Sequence, residues 1–485
     1  MSNTIFGING PVVTVASKDF SMQEMVYVGN ERLVGEVISI DDDLTTIQVY
    51  EVTTGLKPGE PVVGTGSAMS VTLGPGIIKN IYDGIQRPLR KISEQSGSFI
   101  ARGCTADGID PDTLWDVTVT AKVGDTLGEG EVYATCPETP SIIHKVMVPP
   151  GVSGKVTYAA ESGHYTVNSK IIELTDESGK VHTLTLCSKW PIRTPRPISK
   201  RLPCTVPLIT GQRVIDTLLP VAKGGTAAIP GGFGTGKTMT QHQLAKWCDC
   251  LLYTSDAADD MTDRTVLIAN TSNMPVAARE ASIYTGITLA EYYRDMGYAV
   301  AMMADSTSRW AEALREISGR LEEMPAEEGF PAYLPSRLAA FYERAGRVQT
   351  LGGSEGSVTV IGAVSPQGSD FSEPVTQNTK RFTRVFWALD KSLAYARHYP
   401  AINWTDSYSE YDTDLADYYN DNVDMSFMEY RQQLLSLLHE ESKLMEIVKL
   451  IGADVLPDDQ RLVIDVARVV RVGFLQQNAY HQDDT

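Results

Sequence analysis

The sequence has little cysteine, a deficit of basic charge and no long apolar run. Its six cysteines show neither the spacing of a disulfide framework nor that of a paired zinc site, which favours free thiols in a reducing compartment. No stretch of about 18 apolar residues occurs, so no transmembrane helix is expected. The N-terminus lacks the basic and apolar regions of a signal peptide. With 61 acidic against 42 basic residues, the net charge is −19, and such a surface excludes nucleic-acid binding along a broad face.

The remaining composition is that of a folded, multidomain protein. Hydrophobic residues make up 42% and charged residues 21% of the 485 residues, which is ordinary for a globular chain. At roughly 150 residues per domain, this length predicts about three domains.

Two β-rich regions precede an α/β region. In residues 1–72, alternating segments at 36–40 and 46–50 flank a turn of three aspartates, which predicts a small antiparallel barrel. Residues 110–190 are again strand-like and lie between two proline-rich joints, which predicts an insertion with its own small core.

From about residue 205, short apolar runs alternate with helical stretches, which predicts a parallel sheet. The chain is predicted to be helical from about residue 426. The predicted strands are 226–229, 265–269, 299–303 and 357–361, and 311–323 is one of the predicted helices.

A phosphate-binding loop is the strongest motif. It runs through Gly231, Gly232, Phe233, Gly234, Thr235, Gly236, Lys237 and Thr238, and it matches G-x-x-x-x-G-K-[ST] between a predicted strand and a predicted helix. Glycines allow backbone N–H groups to surround phosphates, and the helix N-terminus adds positive potential. Lys237 is expected to neutralise phosphate charge, and the Thr238 hydroxyl is expected to reach Mg²⁺.

A second candidate residue follows the predicted strand at 299–303. Asp305 ends this buried apolar run and is followed by a polar loop at 306–310. An acidic residue in this position, beside a phosphate-binding loop, is typical of the carboxylate that orients Mg²⁺. Phe371 lies in a Gly/Pro-rich loop at 366–374, and its residue type would suit either a base contact or a loop anchor.

These motifs closely resemble those of the catalytic A (alpha) subunits of prokaryotic vacuolar/archaeal-type rotary ATPases. Six further segments share the resemblance, namely 240–247, 270–280, 304–325, 341–346, 371–376 and 399–404. The insertion at 110–190 resembles the extra bulge of those subunits, and it distinguishes them from F-type β subunits, secretion ATPases and regulatory B subunits.

The resemblance implies a domain layout and partners. It implies an N-terminal β-barrel at 1–72, a linker and the start of the nucleotide domain at 73–109, the bulge at 110–190, a RecA-like ATP-binding domain at 191–425 and a C-terminal helical domain from 426 to 485. It further implies a ring of three A and three B subunits around a rotating stalk, with peripheral stalks, attached to the cytoplasmic face of a membrane through the ion-translocating sector. In such a ring, ATP lies at A–B interfaces and B supplies an arginine finger.

The resemblance also assigns the site. It implies binding of Mg-ATP or Mg-ADP, with Lys237, Thr238 and Asp305 as catalytic residues and Mg²⁺ held by Thr238 and, through water, by Asp305. The implied adenine contacts are Phe371, Gln477, Asn478, Ala479 and Tyr480.

The chain departs from the family pattern in two places. The family carries a Gly-Glu-Arg-Gly-Asn-Glu motif after the helix that follows the phosphate-binding loop, and its first Glu polarises the attacking water. That motif is absent from this sequence, and residues 250–260 stand in its place. The chain ends at residue 485, where the family continues, so the helical domain is expected to be truncated. Its apolar stripe is expected to be exposed and comprises Leu462, Val463, Val466, Val469, Val470 and Phe474.

Three hypotheses follow. The chain is an enzyme that couples ATP turnover to H⁺ or Na⁺ movement, or it binds Mg-nucleotide without turning it over, or foreign residues replace a native catalytic segment. Losing a water-positioning carboxylate costs on the order of 10²–10⁴ in rate. We favour the first hypothesis for the function of the parent gene. For this particular chain we favour the third, that foreign residues stand at 250–260. Residues 250–259 match, in order, the translation of a transposase adapter used in sequencing libraries.

Overall fold

The computed structural model describes residues 3–97, 100–248, 251–254, 263–270, 274–452 and 456–484. It contains the predicted fold class: an N-terminal β-barrel, a β-rich bulge, an α/β domain and a helical C-terminal domain.

The barrel forms from the alternating segments at the N-terminus. Its strands are β1 (Ile5–Asn9), β2 (Val12–Val15), β3 (Glu24–Val28), β4 (Leu33–Asp41), β5 (Leu44–Val49) and β6 (Val62–Ala68). They pair antiparallel in the order β1-β2-β5-β4-β3-β6, and a bridge between Thr4 and Pro61 joins the two ends. Alternate apolar residues such as Val26, Val37 and Ile47 are completely buried inside, as the period of two predicts.

The bulge consists of two four-stranded sheets. Its strands are β9 (Trp115–Val119), β10 (Thr126–Leu127), β11 (Val132–Thr139), β12 (Ile142–Met147), β13 (Gly154–Ala159), β14 (Gly163–Tyr165), β15 (Ile172–Thr175) and β16 (Val181–Leu184). The sheet orders are β10-β13-β15-β16 and β12-β11-β9-β14. The expectation of a separate small core was wrong, because the buried residues of the bulge form one cluster with those of the α/β domain.

A ten-stranded sheet forms the centre of the α/β domain. Its strands are β8 (Ile81–Tyr82), β18 (Lys200–Leu202), β19 (Thr226–Pro230), β20 (Leu251–Thr254), β21 (Thr265–Ile268), β22 (Ala299–Ala304), β23 (Gly346–Gln349), β24 (Glu355–Val364), β25 (Val385–Phe386) and β26 (Tyr408–Ser409). The order is β26-β25-β19-β24-β22-β20-β21-β8, with β23 beside β24 and β18 beside β23. The strands from β25 to β8 are parallel, so their carboxyl ends share one edge. A smaller pair, β7 (Ser70–Leu73) and β17 (Ser188–Pro191), brackets the bulge.

Helices cover this sheet and form the C-terminal domain. They are α1 (Leu89–Ser96), α2 (Lys237–Trp247), α3 (Val276–Asp295), α4 (Thr307–Arg320), α5 (Leu334–Tyr342), α6 (Pro374–Phe382), α7 (Lys391–Tyr395), α8 (Asp412–Asn422), α9 (Phe427–Ile451) and α10 (Asp458–Val470). Single π-helical turns occur at Val214–Leu218 and Arg471–Leu475. The predicted helix at 311–323 begins four residues earlier, at Thr307, whose hydroxyl donates to the Ala363 carbonyl at 3.1 Å. Among the described helices, none is long and apolar enough to cross a membrane.

The predicted apolar stripe of α10 is only partly exposed. Leu462, Val466 and Val469 have 63%, 42% and 71% of their surface exposed. Val470 and Phe474, however, pack against the core of the α/β domain. The far end of the stripe therefore packs the C-terminal segment on the core that includes residues of β19 and α2.

Candidate nucleotide-binding site

The predicted phosphate-binding loop connects β19 to α2. Gly234 and Gly236 have φ values of 80° and 93°, a backbone region that glycine occupies without steric cost. Gly231 is required for a different reason. A Cβ there would lie 2.6 Å from Thr235 Oγ1 and 2.9 Å from Leu389 Cβ. The loop is thus a tight turn that requires glycine at these three positions, and α2 starts directly after it.

Lys237 folds back over the loop. Its Nζ donates to the carbonyl oxygens of Gly231 at 2.6 Å and Gly232 at 3.0 Å. Burial lowers the pKa of its ammonium group, and the nearby Asp305 carboxylate opposes that shift. The loop carbonyls therefore hold the Lys237 ammonium group above the turn. In that position its charge could neutralise the oxygens of a phosphate bound by the loop. The Phe233 side chain, by contrast, is fully exposed to solvent.

Thr238 and Asp305 meet although they are 67 positions apart. The Thr238 hydroxyl donates to Asp305 Oδ2 at 2.6 Å. Thr238 lies in the first turn of α2, and Asp305 follows directly after β22 at the shared carboxyl edge of the sheet. Hydroxyl and carboxylate oxygens are the ligands that Mg²⁺ prefers, so the donor set fits this ion.

A cleft opens beside Asp305. It encloses a volume of about 90 Å³ and has a mixed lining, whose polar residues include Asn270, Arg279 and Arg309. Within the described part of the chain, Asn270 Oδ1 and Arg279 Nε are buried without a hydrogen-bond partner. The resemblance includes both residues within the segment 270–280 but assigns them no role. The sequence feature that could have identified Asn270 as a site residue is its position just beyond β21, at the same sheet edge as Asp305.

The expected adenine contacts lie on two separate elements. The segment 477–480 packs on α2, where the Trp247 indole N–H donates to the Ala479 carbonyl and Lys246 Nζ donates to that of Tyr480 at 2.9 Å. Phe371 instead packs edge-on against Phe386, with ring centroids 5.9 Å apart. The structure therefore places 477–480 against the helix that follows the phosphate-binding loop, and Phe371 in a small aromatic cluster beside β25.

The residues expected to replace the family's catalytic motif lie mostly outside the described residues. The exception is β20, which lies between β21 and β22 and runs parallel to both. The first residues of this segment therefore form a central strand of the sheet, and its carboxyl end points to the same edge as Asp305.

Four family models match successive parts of the chain. They are described as the beta-barrel domain of the ATP synthase alpha/beta family (residues 5–66), the ATP synthase alpha/beta subunit barrel-sandwich domain (106–193), the nucleotide-binding domain of the ATP synthase alpha/beta family (211–254 and 250–409) and the C-terminal domain of V and A type ATP synthase (416–485). The nucleotide-binding model matches in two segments that meet at 250–254.

Curated relatives are similar over nearly the whole chain. The "V-type ATP synthase alpha chain 2" of Clostridium tetani is 60% identical over 506 residues, covering 99% of this chain and 85% of the relative. The corresponding A-type ATP synthase chain of Methanopyrus kandleri is 56% identical over 515 residues, covering 100% and 87%. Both aligned lengths exceed the 485 residues of this chain, so each relative has residues without a counterpart here. The alternative of a chain defective in turnover finds no support in these matches.

A solved structure shares the fold. The assembled ATPase EscN from the type III secretion system of enteropathogenic E. coli superposes with a TM-score of 0.69 at 19% identity, covering 100% of this chain and 96% of EscN. At this identity the likeness shows the fold alone.

Proposed function

The chain belongs to the ATP synthase alpha/beta family, within it to the alpha chains of V- and A-type ATP synthases, and from this premise we propose how its residues bind and turn over ATP. The chain is the ATP-binding catalytic subunit of a rotary enzyme that couples ATP hydrolysis or synthesis to ion movement. The observation that carries the site assignment is the 2.6 Å contact between Thr238 and Asp305 beneath the glycine-rich loop.

The loop at 231–238 binds the phosphates of ATP. Its backbone N–H groups and the N-terminus of α2 supply donors and positive potential. When ATP binds, Lys237 exchanges its two loop carbonyls for β- and γ-phosphate oxygens. These hydrogen bonds are stronger because both the donor and the acceptor carry charge. The burial of Gly231, Gly232 and Thr235 on one side of the lysine strengthens that attraction.

Thr238 and Asp305 are the residues that would hold Mg²⁺, the former directly and the latter through water. The bound ion would supply positive charge that neutralises the phosphate oxygens during phosphoryl transfer. The Thr238 hydroxyl, which donates to Asp305 Oδ2 in this structure, would provide the direct oxygen ligand, and the Asp305 carboxylate would hold a water of the ion.

Adenine lies along 477–480, with Phe371 offering an aromatic face. The Tyr480 hydroxyl donates to the Met239 carbonyl at 3.4 Å, in the first turn of α2, so a nucleotide whose phosphates lie at the start of that helix can extend its base towards this segment. Phe371 belongs to a different loop and has its own aromatic neighbours.

The chain assembles with B subunits in an alternating ring of three A and three B around a central stalk, with peripheral stalks. The coupled ion is H⁺ or Na⁺. The B subunit completes the site with an arginine finger, a charge that stabilises the transferring phosphoryl group. The ring attaches peripherally to the cytoplasmic face of a membrane, without contacting nucleic acid.

Binding of Mg-ADP by the purified chain tests the site. Lys237→Ala removes a charge-assisted contact worth about 1.5–3 kcal/mol, so the dissociation constant rises roughly 10- to 150-fold. The matched control is Lys155→Ala, at an exposed position of β13 in the bulge, which leaves the affinity unchanged. Equal affinities of the Lys237→Ala variant and the parent in a calorimetric titration would refute the phosphate site.

A further inference from the structure

The C-terminal segment that would carry the adenine contacts is held by a turn that precedes the phosphate-binding loop. The turn comprises residues 210–213 and lies in sequence well before β19. Arg213 Nε donates to the Phe474 carbonyl at 2.6 Å, and its Nη2 donates to the Gln476 carbonyl at 3.0 Å. Its Nη1 pairs with Asp484 at 2.8 Å. One guanidinium group thus binds both sides of the segment 477–480.

Gln477 completes the attachment. Its Oε1 accepts from the Arg213 backbone N–H at 2.9 Å, and its Nε2 donates to the Gly211 carbonyl at 2.7 Å. The same Nε2 donates to the Asp484 carbonyl, and Asp484 Oδ2 accepts from the Asn478 backbone N–H at 2.7 Å. Gln477 is only 4% exposed. We call the contacts among Arg213, Gln477 and Asp484 the C-terminal clasp.

The turn itself is rigid. The Asp216 carboxylate accepts from the Thr210 backbone N–H at 2.9 Å, from the Thr210 hydroxyl at 2.8 Å and from the Gly211 backbone N–H at 2.9 Å. Thr210 is completely buried. A rigid turn on one side and α2 on the other leave the segment 477–480 little freedom to move.

We propose that Arg213 and Asp484 are positioning residues for the base of the bound nucleotide. They act through the C-terminal clasp, which fixes 477–480 against α2. This inference rests on the proposed nucleotide site. It predicts a division of labour: the loop at 231–238 determines phosphate affinity, whereas the clasp determines the additional affinity that the adenosine part contributes. A residue with only a general structural role would weaken both.

The experiment compares two ligands, Mg-ADP and Mg-pyrophosphate, by calorimetric titration of the purified chain. In Arg213→Ala we expect the affinity for Mg-ADP to fall about 10- to 100-fold, since charge-assisted contacts are lost. We expect the affinity for Mg-pyrophosphate to stay within about twofold of the parent, because the loop at 231–238 is untouched. The conservative variant Arg213→Lys retains one donor and should show a smaller loss for Mg-ADP alone.

Arg201→Ala is the matched control. Arg201 also donates to two backbone carbonyls, of Ala345 at 3.2 Å and Glu343 at 2.6 Å, but it lies in β18 and has no part in the clasp. Its loss should change neither affinity. A second variant, Asp484→Ala, alters a partly exposed residue near the end of the described chain and should lower Mg-ADP affinity in the same direction, even if Arg213→Ala does not fold.

Trp247 supplies an independent readout. Its indole N–H donates to the Ala479 carbonyl, so release of the segment 477–480 should shift its fluorescence to the red in Arg213→Ala. The Trp247→Phe chain identifies its share of the emission.

Each result distinguishes the two proposals. Unchanged Mg-ADP affinity in both clasp variants, or an equal loss for both ligands, overturns the positioning role. If the parent chain binds neither ligand, or if Lys237→Ala leaves pyrophosphate binding intact, the phosphate site itself fails.

Discussion

The tightest point of the phosphate-binding loop offers a sharp test of the site geometry. Gly231→Ala adds one methyl group whose carbon would lie 2.6 Å from Thr235 Oγ1 and 2.9 Å from Leu389 Cβ. Ordinary contacts of such a carbon begin at 3.4 Å, so the loop must shift by roughly half an ångström or more. Thr235 is 1% and Leu389 5% exposed, and neither can move into solvent. Overpacking of this kind typically costs about 1–3 kcal/mol.

The cost should appear both in stability and in ligand binding. We expect Gly231→Ala to lower the thermal unfolding midpoint and to weaken Mg-ADP and Mg-pyrophosphate to a similar degree, on the order of 10-fold, because the backbone donors move away from the phosphates. Differential scanning fluorimetry and calorimetric titration measure the two effects. Gly319→Ala in α4 is the control, since its added Cβ meets no atom within 4 Å and alanine is favoured over glycine in a helix.

A double variant checks the stated cause. Thr235→Ala removes one of the two clashing atoms, so the losses of Gly231→Ala and Thr235→Ala should combine to less than their sum. Parent-like Mg-ADP binding by Gly231→Ala would refute the close packing around Gly231. Strictly additive losses would exclude Thr235 as its source.

Three further predictions concern other groups. Thr238→Val should raise the Mg²⁺ concentration needed for nucleotide binding while Thr238→Ser retains the parental value, as measured by titrations at varied Mg²⁺; equal requirements would remove Thr238 from the ion site. Burial raises the pKa of Asp216 to about 6, so the folded chain binds this proton more tightly than the unfolded chain. Stability from this group is therefore fully present below about pH 4 and is lost as pH rises through about 6, and the part of this loss that falls between pH 5.5 and 7.5 amounts to about 1 kcal/mol. Asp216→Asn should abolish that slope in urea unfolding, and an unaltered slope would assign it to another group. The purified chain alone should hydrolyse ATP slowly, because the proposed arginine finger belongs to a B subunit, and rapid turnover without B subunits would contradict that proposal.

The positions of the glycine-rich loop and of Asp305 could be predicted from the sequence because both depend on local rules. A glycine-rich turn between a strand and a helix has few alternative conformations. An aspartate directly after a buried parallel strand must lie at the carboxyl edge of the sheet. The contact of Thr238 with Asp305 then follows from the strand order, since β22 is separated from β19 only by β24.

Contacts between segments that are distant in sequence could not be predicted, because no local sequence pattern indicates them. The two-residue strand β8 joins the edge of the large sheet beside β21, but two residues show no periodicity. The bulge shares a core with α3, where buried His144 contacts Glu138 at 2.8 Å and the Tyr292 hydroxyl at 2.9 Å. Nothing in the sequence distinguishes Arg213 from an ordinary surface arginine. Apolar patterning predicts which residues are buried, but it does not predict which segment covers them.

The strand β20 explains how a chain can keep its fold while its catalytic motif is replaced. A central parallel strand requires only apolar or β-branched residues and backbone hydrogen bonds on both sides, and Leu251–Thr254 meets that requirement between β21 and β22. The residues after the strand face a stricter demand, because the family resemblance implies that this segment carries the glutamate that polarises the attacking water. Residues 255–260 contain three aspartates but no glutamate and no arginine. We therefore predict that the gene amplified from source DNA encodes a longer segment here, with Gly-Glu-Arg-Gly-Asn-Glu. A continuous gene with the present codons would instead show that residues 250–260 are native.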